Sequence, residues 1–129
     1  MSETSLKKRI LIVDDESDFV NMTRFYFENR GYEVFSASDG EEGLKQARSL
    51  KPDIVLLDIM MPKMNGYQVC RELKKSPTEP TCHVIMLTAK SQESDKFWGM
   101  ETGANEYITK PFDIEELEKK INNALSPTE

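Results

Sequence analysis

The sequence has few of the residues that build disulfide frameworks or zinc sites. It contains two cysteines and one histidine in 129 residues. Cys70 and Cys82 have neither CxxC nor Cys/His ligand spacing, and His83 has no second histidine to join it as a ligand. We therefore predict two free thiols, as is usual in a reducing compartment. His83 is interpreted as a packed residue at the start of a strand.

The sequence also lacks long apolar runs and an excess of positive charge. Its first apolar run, Ile10 to Val13, is too short for a signal sequence or a membrane span. The formal net charge is -6 and there is no long block of lysine and arginine. Such a charge disfavours direct binding to polyanions. We expect a cytoplasmic protein that contacts neither nucleic acid nor membrane directly and has a protein or a cation as its partner.

Glycine and proline are scarce, at six residues each. With 38% hydrophobic and 31% charged residues, the composition is that of a globular protein and not of a disordered chain. A chain of this length fits one domain with its own core. We predict one domain over residues 9–125, between polar segments at 1–8 and 126–129.

Five short apolar runs predict β-strands, and helical patterns separate them. Three runs are continuous in Ile, Val and Leu, which is typical of parallel strands buried on both faces. Asp39 and Asp113 each precede a helical pattern with an acidic first turn, which favours a helix start. This alternation predicts a doubly wound, flavodoxin-like α/β fold with five parallel strands in the order 2-1-3-4-5. Strands are expected at 10–13, 32–37, 54–57, 84–87 and 107–108, and helices include segments at about 17–29, 66–75 and 92–102.

Polar residues follow several of these apolar runs. Ligands of open α/β sheets bind outside the carboxyl ends of the strands, at the topological switch point. Asp14, Asp15 and Asp58 are expected to converge there, because the first and third strands are neighbours in the predicted order. Three like charges require a cation, and hard oxygen ligands suit Mg2+. Asp15 and Asp58 are the predicted direct ligands.

The same edge has the groups needed for phosphoryl transfer. A carboxylate beside a divalent cation can attack a phosphoryl group once the metal screens the charge of both. Asp58 is the candidate nucleophile, and Thr88 and Lys110 are placed to neutralise the remaining phosphoryl oxygens. Each residue alone has an ordinary interpretation as a turn residue. Their conjunction at one edge predicts a site.

Four segments resemble the signature segments of response-regulator receiver domains, of the chemotaxis-regulator type: LIVDDE, DIVLLDIMMPKMNGYQVC, VIMLTAK and GANEYITKPF. The resemblance covers about residues 8 to 125. It implies a bacterial two-component signalling protein and phosphoprotein, in which Asp58 takes a phosphoryl group from a phosphohistidine with the help of Mg2+. The donor is a sensor histidine kinase or a histidine phosphotransfer protein. The chain is not an enzyme for separate substrates but catalyses its own phosphorylation and slow dephosphorylation.

The resemblance also implies roles for single residues in the metal and phosphoryl site. Asp14 and Asp15 are the acidic pair that binds Mg2+ together with Asp58. The backbone carbonyl of Met60 completes the metal site. Lys110 is the lysine that binds the phosphoryl group.

Switching and lifetime are further implications of the resemblance. Thr88 is the switch hydroxyl, and Tyr107 is the aromatic residue that swings inward on activation. A downstream protein or output domain is reached through the face formed by the fourth predicted helix, the fifth strand and the last helix. Met60 and Lys90 flank the path of the hydrolytic water and are predicted to set the lifetime of the phosphorylated form. The Lys110–Pro111 peptide bond is expected to be cis.

Three alternative functions fit parts of the same pattern. A flavin binder shares the predicted sheet, but its phosphate loop is rich in hydroxyls and glycine, whereas residues 14–17 here read Asp-Asp-Glu-Ser. An aspartyl-phosphate hydrolase usually has a second Asp two residues beyond its nucleophile, where this chain has Met60. A degenerate receiver that serves only as a scaffold would lack part of the acidic, threonine and lysine set, which is complete here.

Overall fold

Strands and helices alternate along the chain. The computed structural model describes residues 7–59, 61, 64–75, 82–89 and 103–125. The helical segment predicted at about 92–102 lies outside these residues. No helix in the described part of the chain has both the length and the apolar character needed to cross a bilayer. The elements are β1 (Arg9–Val13), α1 (Ser17–Glu28), β2 (Glu33–Ala37), α2 (Gly40–Leu50), β3 (Ile54–Asp58), α3 (Gly66–Leu73), β4 (His83–Ala89), β5 (Glu106–Lys110) and α4 (Ile114–Leu125).

The strands form one parallel sheet in the order β2-β1-β3-β4-β5. This is the order predicted from the sequence. β1 lies between β2 and β3, so the chain moves outward to β2 and then crosses back to β3. The direction of winding reverses between β1 and β3, and a crevice forms at such a reversal. The pairing of Val13 with Leu57 sets the next residues, Asp14 and Asp58, level with each other at the carboxyl edge.

The sheet separates two apolar clusters, because side chains alternate between its faces along each strand. α2 and α3 cover one face, and α1 and α4 cover the other. Residues 10–13 of β1 and 54–57 of β3 have no exposed surface. This confirms the prediction of strands buried on both faces. The first face includes Leu11, Val13, Val55, Leu57, Val84, Met86, Leu44 and Val69; the second includes Ile10, Ile12, Ile54, Leu56, Ile85, Ile108, Phe27, Leu117 and Ile121.

Side-chain caps fix the starts of two helices. The Asp39 carboxylate accepts a hydrogen bond from the backbone N–H of Glu42 at 2.8 Å, as its position before α2 predicts. Asn65 and Gln68 form a reciprocal capping box at the start of α3, with distances of 3.0 and 2.9 Å. The loop that leads from the site is therefore anchored where α3 begins.

The cysteines and the histidine occupy structural positions. Cys70 is buried in α3, Cys82 is partly buried, and neither forms a disulfide, as predicted. Desolvation by burial raises the pKa of the Cys82 thiol, which disfavours its reactive thiolate form. His83 begins β4, and its ring Nε2 lies 3.2 Å from a carboxylate oxygen of Glu106. The interpretation of His83 as a packed strand residue is confirmed.

Candidate functional site at the carboxyl edge of the sheet

Three carboxylates meet at the reversal point of the sheet. Asp14 and Asp15 directly follow β1, and Asp58 is the last residue of β3. One carboxylate oxygen of each lies within 4.8 Å of the others, a group that could hold a metal ion. Asp14 is buried, Asp58 is half-buried and Asp15 is exposed. The structure thus brings together the acidic residues that the sequence places at this edge and leaves two of them open to solvent.

Both carboxylate oxygens of Asp14 accept hydrogen bonds. Its Oδ1 accepts a hydrogen bond from the backbone N–H of Glu16 at 3.0 Å, and its Oδ2 accepts one from Lys110 Nζ at 2.9 Å. Its own N–H donates to the carbonyl oxygen of Ala37 at 3.1 Å. Burying a carboxylate is costly unless it is paired and hydrogen-bonded. These contacts therefore fix the buried member of the acidic group.

Lys110 ends β5 and reaches across the edge toward β1. Its side chain is 26% exposed, and its Nζ also lies 3.5 Å from a carboxylate oxygen of the exposed Glu16. Burial alone would lower the pKa of Lys110. The hydrogen bond to Asp14 and the nearby negative charges of Asp14, Asp58 and Glu16 outweigh burial, so the pKa of Lys110 is raised. The ammonium therefore stays charged at neutral pH and offsets part of the acidic charge.

Thr88 supplies a buried hydroxyl one residue before the end of β4. Only 1% of its surface is exposed. Its Oγ1 lies 3.5 Å from the carbonyl oxygen of Ile108 and 3.5 Å from Oγ1 of Thr109. Both distances exceed the usual range for a hydroxyl hydrogen bond. The Thr88 hydroxyl is therefore held weakly, and little binding energy is lost if it turns toward another acceptor.

The remaining sequence-predicted residues are placed only in part. Tyr107 lies in β5, is half-buried and packs against the cluster covered by α2 and α3. The Lys110–Pro111 peptide bond is cis, as predicted. Met60 and Lys90 lie outside the described residues, and so does the segment at 92–102 that was expected to form part of the output face.

A close backbone contact supports the end of β3. The N–H of Gly66, the first residue of α3, donates to the carbonyl oxygen of Ile59 at 3.0 Å. A Cβ at position 66 would lie 2.5 Å from the carbonyl oxygen of Asp58 and 2.9 Å from Cα of Ile59. Such distances leave no room for a side chain. Glycine at this position lets α3 start directly against Asp58.

Two neighbours of Lys110 were not identified from the sequence, namely Glu16 and Phe19. The Lys110 Nζ lies 4.7 Å from the centroid of the Phe19 ring. The ring of Phe112 forms a T-shaped pair with it, with centroids 5.9 Å apart and planes at 89°. In the sequence Phe19 has only the signal of an apolar residue in the first turn of α1. Its contact with Lys110 depends on how α1 sits against the end of β5.

The fold is of the flavodoxin-like, doubly wound type, with an acidic crevice at its switch point. A family model for the response regulator receiver domain matches residues 10–122. PhoP of Bacillus subtilis, the alkaline phosphatase synthesis transcriptional regulatory protein, is 43% identical over 124 residues, which are 96% of this chain and 51% of PhoP. Protein PilH of Pseudomonas aeruginosa is 45% identical over 118 residues, 92% of this chain and 98% of PilH.

Solved structures agree with these relatives. Chemotaxis response regulator CheY4 of Vibrio cholerae matches with a TM-score of 0.85 and 29% identity, over 93% of this chain and 100% of CheY4. The chain belongs to the response regulator receiver domains of two-component systems. It spans about half the length of PhoP and of other transcriptional regulators among its curated relatives.

Proposed function

We propose that this chain is a phosphoacceptor switch in which Asp58 takes a phosphoryl group from a phosphohistidine, in a reaction that requires Mg2+. The donor is a sensor histidine kinase or a histidine phosphotransfer protein. The observation that carries the proposal is the convergence of three carboxylates within 4.8 Å, bordered by a lysine ammonium. Two of these carboxylates, Asp15 and Asp58, are open to solvent and hence to a metal and a donor.

The residues at this edge fit Mg2+. The metal prefers oxygen ligands, keeps several waters and commonly binds one or two carboxylates. Asp15 and Asp58 are the proposed side-chain ligands, with the backbone carbonyl of Met60 as a third. Asp14 adds negative charge from its buried position, where both of its oxygens already accept hydrogen bonds. Bound Mg2+ would screen the negative charge of Asp58 and of the incoming phosphoryl oxygens.

The chain's own groups perform the transfer. A carboxylate oxygen of Asp58 bonds to phosphorus while the bond from phosphorus to the donor histidine nitrogen breaks. Thr88 donates its hydroxyl hydrogen bond to one phosphoryl oxygen, and Lys110 donates to another. The chain in this way catalyses its own phosphorylation and its slow dephosphorylation. Tyr107 turns inward with Thr88 on activation, and Met60 and Lys90 set the lifetime of the phosphorylated form.

The output of the switch is a protein contact. We place it on the face formed by the segment at 92–102, β5 and α4, within a receiver domain that spans residues 9–125. PhoP is about twice as long as this chain, and PilH is nearly the same length. The proposed output is accordingly either a linked domain or a separate protein target. The receiver domain itself acts in the cytoplasm and contacts neither nucleic acid nor membrane.

Small phosphoryl donors test the proposal without a kinase. Acetyl phosphate with Mg2+ should add one phosphoryl group to the chain, detected by intact-mass spectrometry. Borohydride reduction and peptide mapping should locate it at Asp58. The same incubation with EDTA in place of Mg2+ should give no adduct. A phosphoryl group on any other residue, or equal labelling with EDTA, would contradict the proposal.

Mg2+ should raise the melting temperature. Without a cation the three carboxylates repel one another, and a ligand that binds only the folded state stabilises it by about 2.7 kcal/mol at one hundred times its Kd. Asp15→Asn should melt higher than the wild type in EDTA and should respond less to Mg2+. Glu41→Gln is the matched control, because it removes the same charge from an exposed position on α2. Equal Mg2+ responses of Asp15→Asn and the wild type would exclude Asp15 as a ligand.

A further inference from the structure

Three of the described residues lie around the ammonium of Lys110 and attract it in different directions. Asp14 Oδ2 lies 2.9 Å away inside the crevice, and Glu16 Oε1 lies 3.5 Å away at the solvent side. The side chain of Asp14 is fully buried, whereas that of Glu16 is 67% exposed. The ring of Phe19 forms the third side, with its centroid 4.7 Å from Nζ.

The Phe19 ring both attracts the ammonium and excludes water from it, a combination that an aliphatic side chain does not provide. Its face carries partial negative charge and attracts the ammonium. Its bulk also keeps water from that side of Nζ, which strengthens the hydrogen bond to Asp14. A lysine has a flexible four-carbon stem and three donors, so two carboxylates alone do not fix its position. The ring therefore keeps the ammonium on the side that faces the crevice and away from the solvent side.

Phe19 itself is held in place. It is the third residue of α1, is partly buried and packs against the cluster under α1 and α4. Its ring and that of Phe112 form a T-shaped pair with a centroid distance of 5.9 Å. Phe112 follows Lys110 by two residues, so the ring of Phe19 contacts both the lysine and the segment that leaves β5. The aromatic pair thereby links α1 to the end of β5.

We propose that Phe19 is a positioning residue whose ring holds the Lys110 ammonium in the crevice. From this position the ammonium exchanges its hydrogen bond with Asp14 for one with a phosphoryl oxygen on Asp58. Without the ring, the lysine is free to follow Glu16 toward solvent, and the phosphoryl group is left with fewer donors. The part of this inference that concerns phosphoryl binding rests on the proposed function. The part that concerns the position of Lys110 does not.

Two measurements on the full chain test the inference. The first is the NMR chemical shift of the Lys110 side-chain methylene protons, which a ring at this distance moves upfield. The second is the affinity for beryllium trifluoride, a phosphoryl mimic, followed by fluorine NMR in Mg2+ buffer. Phe19→Leu should lose the upfield shift and weaken mimic binding by about two- to thirtyfold, the range that the loss of one cation–π contact gives. Phe19→Tyr, which keeps the ring, should retain both properties.

Phe25→Leu is the matched control, since Phe25 lies on the same helix and is 72% exposed. It should leave the Lys110 shift and the mimic affinity unchanged. If Phe19→Leu does not fold, Phe19→Met provides the same test with a flexible apolar side chain. An unaltered Lys110 shift together with wild-type affinity in the Leu or Met variant would overturn the inference. A wild-type chain that binds no mimic would instead overturn the proposed function, and the Lys110 shift would still show whether the Phe19 ring lies against the lysine.

Discussion

Replacing Asp58 with asparagine is expected to abolish phosphorylation by acetyl phosphate. The amide has nearly the same shape as the carboxylate but is neutral and a poor nucleophile, so the bond to phosphorus does not form. Intact-mass spectrometry over a time course in Mg2+ buffer measures the loss. The same variant should unfold at a higher temperature than the wild type in EDTA, because it removes one of three carboxylates whose oxygens lie within 4.8 Å.

Asp53→Asn is the control for this substitution. Asp53 precedes the same strand at the opposite edge of the sheet, where its carboxylate accepts a hydrogen bond from the backbone N–H of Arg9 at 2.8 Å. An asparagine oxygen can accept this bond as well, so phosphorylation should continue. An Asp58→Asn protein that is labelled at the wild-type rate would show that another residue is the acceptor.

Replacing Lys110 with methionine should slow phosphorylation by about a hundred- to a thousandfold, as the loss of one donor to a developing charge usually does. Methionine keeps an unbranched apolar stem and removes the ammonium. The substitution should also lower the free energy of unfolding, because it leaves the buried Asp14 carboxylate without its 2.9 Å partner. Breaking a fully buried pair costs about 3 to 5 kcal/mol. The cost here should be smaller, since Lys110 is 26% exposed.

A double variant separates the structural role of Lys110 from its chemical role. Asp14→Asn added to Lys110→Met removes the unpaired charge and should recover much of the stability, measured by urea unfolding. The phosphorylation rate should not recover, because the phosphoryl group still lacks its lysine. Recovery of both properties would mean that Lys110 only neutralises Asp14 and does not bind the phosphoryl group.

The fold was predictable because its signals are local and repeated. Continuous apolar runs such as 10–13 and 54–57 identify strands buried on both faces, and the acidic helix starts separate them. The boundaries were less predictable. α1 ends at Glu28 and α3 at Leu73, one and about two residues before the predicted ends, and β2 begins at Glu33 instead of residue 32. Such ends are set within one or two residues by the last hydrogen bonds of an element, which composition does not encode.

The candidate site was also predictable from the sequence only in part. The carboxylates could be placed because a parallel sheet brings the ends of its strands to one edge. The partners of Lys110 could not, because they depend on the directions of long side chains and on the packing of α1 beside β5. Glu16 was seen only as part of an acidic loop, and Phe19 only as an apolar helix residue. Membership of the receiver family also sets aside the flavin-binding alternative, which the sheet alone leaves open.

The alternation of side chains has a mechanical consequence for this site. Thr88 continues the series of Val84 and Met86, which face α2 and α3, whereas Lys110 continues from Ile108, which faces α1 and α4. A group bound between these two side chains therefore contacts two layers, and in the described part of the chain no core residue belongs to both layers. A core substitution in one layer is therefore expected to move one of these two side chains more than the other.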